Sequence, residues 1–493
     1  MGIFNPVVTS LFSPISMILM LGGSIMGIIF GALPGLSGTI GVTLLLPLTF
    51  GMSPNLAIAL LISVWVGGVS GGFISATLLG IPGTASSVAT CFDAFPLSKQ
   101  GKTTKALGVG ILASFIGTFL SAIIAMVLSP FIAKLAIKLG PWEIFSLCFS
   151  AITLIVSMSK GNIFKGLASA SIGLVFSSVG FAPVDAYNRF SFGNIYLSGG
   201  LNGVALMLGL FAVYLIAMDY SKRSNDYVVE DPKDKIHGFG VTFKEIKNNI
   251  WNMIRSFAIG LWIGFLPGMG AGLSNLLAYS QAKNSSKYPE KFGKGCIDGV
   301  FASETSNNAA VGGAMIPMTS LGIPGDATTA VLLGGLILHG LQPGPLLFNN
   351  NPVFVYVMYG ATIIAAIMVL LLQFFGMRLL PKILKIPYHY LYPTILILCF
   401  IGAFSETNTL FNTGLMLFFG FFSILMGWIG LPSTPFLMAF ILGPMLEVNL
   451  RRGISYSTTG LADFITRPVS ALFLLVGIGS IILPPLRRIF KRI

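Results

Sequence analysis

Charge is what this sequence has least of. Only 9% of its 493 residues are Asp, Glu, Lys or Arg, against 54% hydrophobic. A water-soluble domain carries about a quarter charged residues, so this chain cannot clothe a water-facing surface. The shortage is uneven. The first basic residue is Lys99, and the only acid before it is Asp93. Between Thr305 and Met377 the sole acid is Asp326, with no Lys or Arg. About 20 apolar residues already span a bilayer, so runs of that length need hydrocarbon around them. Cysteine is also scarce. Cys91, Cys148, Cys296 and Cys399 form no CxxC pair and give no sign of a disulfide framework or zinc site. The N-terminus lacks a basic n-region and a small-residue cleavage site, so a removable signal peptide is not expected and the first span stays in the membrane.

The net charge of +13 does not point to nucleic acid. The basic residues fall in short clusters between apolar runs, at Lys99–Lys105, Arg451–Arg452 and Arg487–Arg492. Basic loops between apolar spans favour the cytoplasm, and the basic tail predicts a cytoplasmic C-terminus. Apolar segments that cross or nearly cross run through Leu201–Ala217, and they resume at Ser256. Between them lies the one strongly polar stretch. It contains "SKRSNDYVVEDPKDK" and then the amphipathic "FKEIKNNIWNMIR". This reads as a linker followed by a helix on the membrane surface. The expected fold is an all-α polytopic membrane protein. Its parts are a first transmembrane repeat over 1–218, a linker with a surface helix over 219–255, and a second repeat over 256–493.

The repeat is legible in four landmarks. "GALPGLSG" from Gly31 returns as "GFLPGMGA" from Gly264, and "LGIPG" from Leu79 returns from Leu321. "KLGPWEIFSL" from Lys138 loosely matches "KIPYHYLYPT" from Lys385, and "FSFG" ending at Gly193 matches "FILG" ending at Gly443. The separations of 233, 242, 247 and 250 never decrease, so the landmarks keep their order. Gly/Pro-interrupted apolar segments at matching places in two halves, here expected to be inverted, are a signature of secondary transporters. If the halves are inverted and the C-terminus is cytoplasmic, the linker is expected outside.

Proline removes a backbone donor, and glycine permits dihedrals that other residues avoid. In lipid, a broken backbone is tolerated only where protein or a wet cavity surrounds it. Breaks or re-entrant turns are therefore expected at Pro34-Gly35, Pro82-Gly83, Pro267-Gly268 and Pro324-Gly325. Each is followed by small polar or flexible residues: Ser37, Gly38 and Thr39; Thr84, Ser86 and Ser87; Gly270 and Gly272; Asp326, Thr328 and Thr329. A helix that starts just after a break offers free N–H groups and a positive dipole end to a carboxylate. The four breaks are expected to meet near the bilayer midplane, and kinks needed only for packing are the alternative.

"ASETSNNAAVGG" is the polar exception in the second half. A carboxylate within the membrane costs roughly 2.5–3.5 kcal/mol on insertion scales, so Glu304, with Asn307 and Asn308 a turn away, reads as part of a pathway. An interfacial helix end is the other reading of Glu304. Asp326 either coordinates a cation or caps the helix after Pro324, and sodium near Asn308 and Asp326 is one possibility. Asp93 reads as an interfacial cap, and His339 and His389 as structural. No catalytic residue, resident metal or organic cofactor is expected. "GLSG" at Gly35 leaves an intramembrane protease using Ser37, with His339 or His389 as base, as a second class. A passive channel is a third.

At these residues the chain resembles a known family. "GALPGLSG", "LLGIPGTASSVATCFDAFPLSKQGKTTKALGVGILASFIGT", "GFLPGMGAG" and "SETSNNAAVGGAMIPMTSLGIPGDATTAVLLGGLILHGLQPGPLLF" together resemble the large membrane subunit of the tripartite tricarboxylate transporters. The similarity covers nearly the whole chain. It implies a multi-pass protein of the bacterial cytoplasmic membrane that works with a small membrane subunit and an extracytoplasmic solute-binding protein. It further implies uptake of citrate or related small carboxylates on a H+ or Na+ gradient. A single-component ion-coupled organic anion carrier is the alternative. Two departures stand out. The family usually shows Asp-Gly where this chain has Asp93-Ala94, and often serine where it has Asp326.

Overall fold

The computed structural model describes residues 4–158, 162–221, 236–385, 388–405 and 408–490. The chain folds almost entirely as helices, because in lipid a helix satisfies its backbone polar groups within one segment. The first half begins with α1 (Phe4–Leu11), α2 (Pro14–Ala32), α3 (Gly38–Leu45) and α4 (Pro54–Leu78). It continues through α5 (Val88–Lys99), α6 (Thr103–Ala136), α7 (Pro141–Met158) and α8 (Ile163–Ser177). A two-stranded hairpin, β1 (Gly180–Phe181) with β2 (Asn188–Arg189), follows together with α9 (Ile195–Ser198). The half closes on α10 (Gly203–Met207), a π-helical turn over Leu208–Val213, and α11 (Tyr214–Ser221).

The second half opens with α12 (Phe243–Phe265), α13 (Gly270–Ser285), α14 (Ile297–Leu321) and α15 (Ala327–Leu338). Then come α16 (Leu347–Asn350), α17 (Pro352–Phe375), α18 (Leu380–Ile383), α19 (Tyr388–Ser405) and α20 (Leu410–Ile429). α21 (Ser433–Tyr456), α22 (Asp463–Thr466) and α23 (Pro468–Phe490) complete it. Among the described residues, α2, α4, α6, α17, α20 and α21 are long and apolar enough to cross a membrane, and α23 with the bent turn before it makes a possible seventh.

Directions follow from glycine contacts. Gly23, Gly27 and Gly31 of α2 lie against Leu60, Val64 and Gly68 of α4, so these helices run parallel. Gly38 and Gly41 of α3 lie against Gly68 and Val64, so α3 runs back. The second half has the same arrangement. Gly260 and Gly264 of α12 lie against Ser306 and Ala310 of α14. Ser274 and Asn275 of α13 bond the carbonyls of Ser306 and Ser303 in reverse order.

The halves meet along α14 and α6, which run parallel: Ser114 bonds Glu304, Thr118 bonds Asn308, and Ser121 bonds Gly312. α4 runs the other way, since Ser70 bonds Asn308 while the later Phe73 reaches Gly110. α23 runs parallel to α7, with Ser470 on Ser146 and Gly477 on Ser150.

Two expectations change. The amphipathic "FKEIKNNIWNMIR" is not a separate surface helix. It is the first half of α12, started by a capping box between Thr242 and Glu245 and continuous into the apolar stretch. Its polar character is used laterally: Asn252 bonds Asp298 O at the start of α14, and Glu245 pairs with Lys105. The side of the linker changes too. Residues 236–240, which leave the linker, pack on Thr104 and Arg378, at the end of the molecule that α23 approaches. α23, running parallel to α7, is directed toward the end at which residues 236–240 lie.

Candidate functional site

The four breaks come together. A methyl on Gly83 would sit 2.2 Å from Gly31 O, which places the second break on the first. Gly268 N donates to Gly325 O at 2.7 Å, joining the third to the fourth. Thr39 Oγ1 and Thr328 Oγ1 share a hydrogen bond of 2.6 Å, linking first to fourth. Gly272 lies against Ala85 O, linking second to third. None of the four prolines is exposed: Pro34 and Pro324 are buried, and Pro82 and Pro267 are half-buried. Gly35 and Ala85 are exposed within this ring.

Each helix start at the ring has its own local cause. Ser37 Oγ caps α3 by accepting from Ile40 N at 3.3 Å. Thr84 and Ser87 form a capping box before α5, and Ser86 Oγ reaches Thr84 Oγ1 at 3.0 Å. Asp326 Oδ1 caps α15 by accepting from Thr329 N at 2.8 Å. The third break has no side-chain cap. Gly268 and Gly270 there take positive φ of 77° and 60°, which favours glycine. Of the two readings of Asp326, the described bonds match the cap. A serine could make the same bond.

Glu304, Asn307 and Asn308 lie apart from the caps, on the face of α14 that meets α5, α6 and α4. All three are fully buried. Glu304 lies seven residues into α14, about 10 Å from its start, so it is not at a helix end. Its carboxylate accepts from Thr90 Oγ1 at 2.5 Å, Ser114 Oγ at 3.1 Å, Asn307 Nδ2 at 3.4 Å and Asn308 Nδ2 at 3.3 Å. Asn308 Oδ1 accepts from Ser70 and Thr118. Asn308 and Asp326 share no partner among the described bonds. The hydroxyls that complete this cluster were missed in the sequence. Ser114, Thr118 and Ser121 recur at helical spacing beside Gly117, a small polar stripe on an apolar helix that periodicity alone could have flagged.

Asp93 is fully buried, and its carboxylate caps backbone N–H groups. It accepts from the N–H groups of Gly293, Gly295 and Cys296 and from Tyr279 Oη, all within 2.8–2.9 Å. It thus ties α5 of the first half to the loop that starts α14. Ala94 beside it packs with Val109 and Phe301. His339 caps the end of α15 and bonds Thr49 at 3.1 Å. The side chain of His389 lies outside the described residues.

A separate cavity of about 570 Å³ opens beside the C-terminal half of α15, lined by Gly334, Ile337, Met207, Phe440, Arg189 and Glu447. Gly334 is six residues, about 9 Å along the helix, from Thr328. Arg189 of the hairpin grips Glu447 with two bonds of 2.9 and 3.0 Å. Arg451 bonds both Glu447 and Asp185, and holds the Asp185 carboxyl below the usual carboxylate range.

Comparison with known proteins bears on this arrangement. Residues 17–438 match the model of the tripartite tricarboxylate transporter TctA family. A 52.8 kDa protein of Agrobacterium vitis, described only by its place in the TAR-I ttuC' 3' region, is 31% identical over 471 residues. That covers 96% of this chain and 93% of the relative. A second Agrobacterium vitis protein, from the TAR-II ttuC' 3' region, is 35% identical over 224 residues, 45% of this chain and 93% of that protein. No solved structure matches. By the extent of the family match and of the first relative, the chain belongs to the tripartite tricarboxylate transporter TctA family.

Proposed function

We propose that this chain is the large membrane subunit of a carboxylate uptake system that works by alternating access. Its partners are a small membrane subunit and an extracytoplasmic solute-binding protein, its location is the bacterial cytoplasmic membrane, and it is driven by a H+ or Na+ gradient. The observation that carries the reading is the ring of four breaks. Short helices start there with caps made by Ser37, the Thr84–Ser87 capping box and Asp326, and their N–H ends suit a carboxylate. Pro34, Gly35, Gly38, Thr39, Pro82, Gly83, Ser86, Gly268, Gly270, Pro324, Gly325 and Thr328 form the rest of this substrate site.

An inverted repeat is supported by matching contacts. The pairs Gly27–Val64 and Gly31–Gly68 recur as Gly260–Ser306 and Gly264–Ala310, offset by 233 on one helix and 242 on its partner. α4 and α14 then run in opposite senses. In each half the first helix is followed by one that returns alongside it, as in a re-entrant hairpin. The linker side carries Lys99, Lys102, Lys105, Lys244, Lys247, Lys283, Lys291, Lys294 and Arg378, which supports a cytoplasmic placement for it.

A protease using Ser37 fits less well, because its Oγ serves as a helix cap and His339 is engaged with Thr49. The test is uptake into vesicles carrying both membrane subunits, across a panel of carboxylates, with and without the binding protein. Uptake that needs the binding protein is the expected result. Full, high-affinity uptake by this chain alone would leave the single-component carrier as the correct reading.

A further inference from the structure

Glu304 has no exposed surface, and among the described residues it has no cationic partner. Thr90, Ser114, Asn307 and Asn308 are its bonded neighbours, and all are neutral. No Lys, Arg or His is buried anywhere among the described residues. Neutral donors offset only part of the cost of a buried charge, and an anionic cargo would add negative charge to a core that has nothing positive to answer it. A second observation is independent of the carboxylate. Asn307 is fully buried and its Oδ1 has no hydrogen-bond partner. The same amide holds Glu304 Oε2 through its Nδ2, so the unpartnered oxygen stands beside the uncompensated carboxylate. A buried oxygen without a donor normally signals a missing ligand.

We propose that Glu304 and Asn307 Oδ1, walled by Thr90 and Ser114, form a sodium site at the junction of α5, α6 and α14. Oxygen ligands around a net negative charge suit a small hard cation, and a single charge neutralises the one carboxylate. The site occurs once per chain. The offset of 242 between α4 and α14 puts Ile62, Trp65 and Val66 where Glu304, Asn307 and Asn308 stand, so the matching place in the first half is apolar. It is built from both halves, with the walls Thr90 and Ser114 from the first and the ligands Glu304 and Asn307 from the second. Filling it therefore favours one packing of the halves over another. The coupling role rests on the carrier reading above, but sodium binding does not.

The test is equilibrium binding of radioactive Na+ to the full chain purified in detergent, with choline holding the ionic strength constant. Thermal stability is read in the same buffers. Wild type is expected to bind one Na+ per chain saturably and to melt higher in sodium than in choline. Glu304→Gln should abolish both effects while melting in choline at or above wild type, because it removes the buried charge. Asn307→Ala, which keeps the carboxylate, should weaken binding at least about tenfold and serves if the Gln variant does not fold. No saturable Na+ binding by wild type, or wild-type binding by Asn307→Ala, would overturn the proposal. A complete assembly that takes up no carboxylate although the chain binds Na+ would overturn the transport reading and leave the sodium site standing.

Discussion

Gly31 offers the sharpest test of the packing that holds the ring together. A methyl added there would lie 2.1 Å from Gly68 O and 3.0 Å from Gly68 Cα. Real methyl groups do not approach closer than about 3 Å, so Gly31→Ala must push α2 and α4 apart by ~1 Å. Both obstacles are backbone, so no side chain can rotate to absorb the shift. Overpacking of this kind costs about 1–3 kcal/mol. The displacement falls on the first break and, through Gly83 above Gly31 O, on the second. Gly22 is the internal control, since a methyl there meets nothing within 4 Å. Gly22→Ala should be neutral or stabilising by about 0.5–1 kcal/mol, because alanine favours the helix. The assays are thermal melting of the purified chain and uptake in the complete system. Gly31→Ala should melt lower and lose transport, and Gly264→Ala should do the same, because its methyl would lie 2.5 Å from Ala310 O. If Gly31→Ala behaves like Gly22→Ala, the close parallel packing of α2 and α4 is wrong, and the ring built on it fails too.

Thr39→Val and Thr328→Val break a bond between the first and fourth breaks. A double-mutant cycle on stability should give a coupling of about 0.6 kcal/mol and at most about 1.7, the range for polar pairs between membrane helices; additive effects would count against the contact. Asp93→Ala strands three backbone N–H groups, each worth about 1–3 kcal/mol. It should cost at least ~3 kcal/mol in a melt and speed alkylation of Cys296, whereas Asp93→Asn should cost less; an unchanged melt for the alanine variant would refute the assignment. In a cysteine-free background, His237→Cys and Tyr187→Cys should label from opposite sides of sealed vesicles. Labelling from one side would contradict the placement of His237 at the start of α6 and of the hairpin, beside Glu447, at the other end of the molecule.

The charge deficit and the length of the apolar runs determined the membrane class by themselves, since no arrangement of so few charges can face water. The matched Gly-Pro peptides at ordered separations were also legible, because they need no coordinates to see. Composition could not say where the amphipathic "FKEIKNNIWNMIR" would lie. Its polar face suits a membrane surface and a protein neighbour equally, and only the packing of α12 on α14 and α6 chose between them. Asp93 shows the same limit. A carboxylate next to a basic loop looks interfacial in one dimension, and its burial comes from N–H groups 200 residues away. The convergence of Pro34, Pro82, Pro267 and Pro324 was expected, but which break touches which was decided by helix direction. Glu304 was conspicuous in the sequence, whereas Thr90, Ser114 and Ser70 were not. Serine and threonine are ordinary in membrane helices, and these joined the cluster only because packing of α5, α6 and α4 on α14 set Thr90 and Ser114 against Glu304 and Ser70 against Asn308.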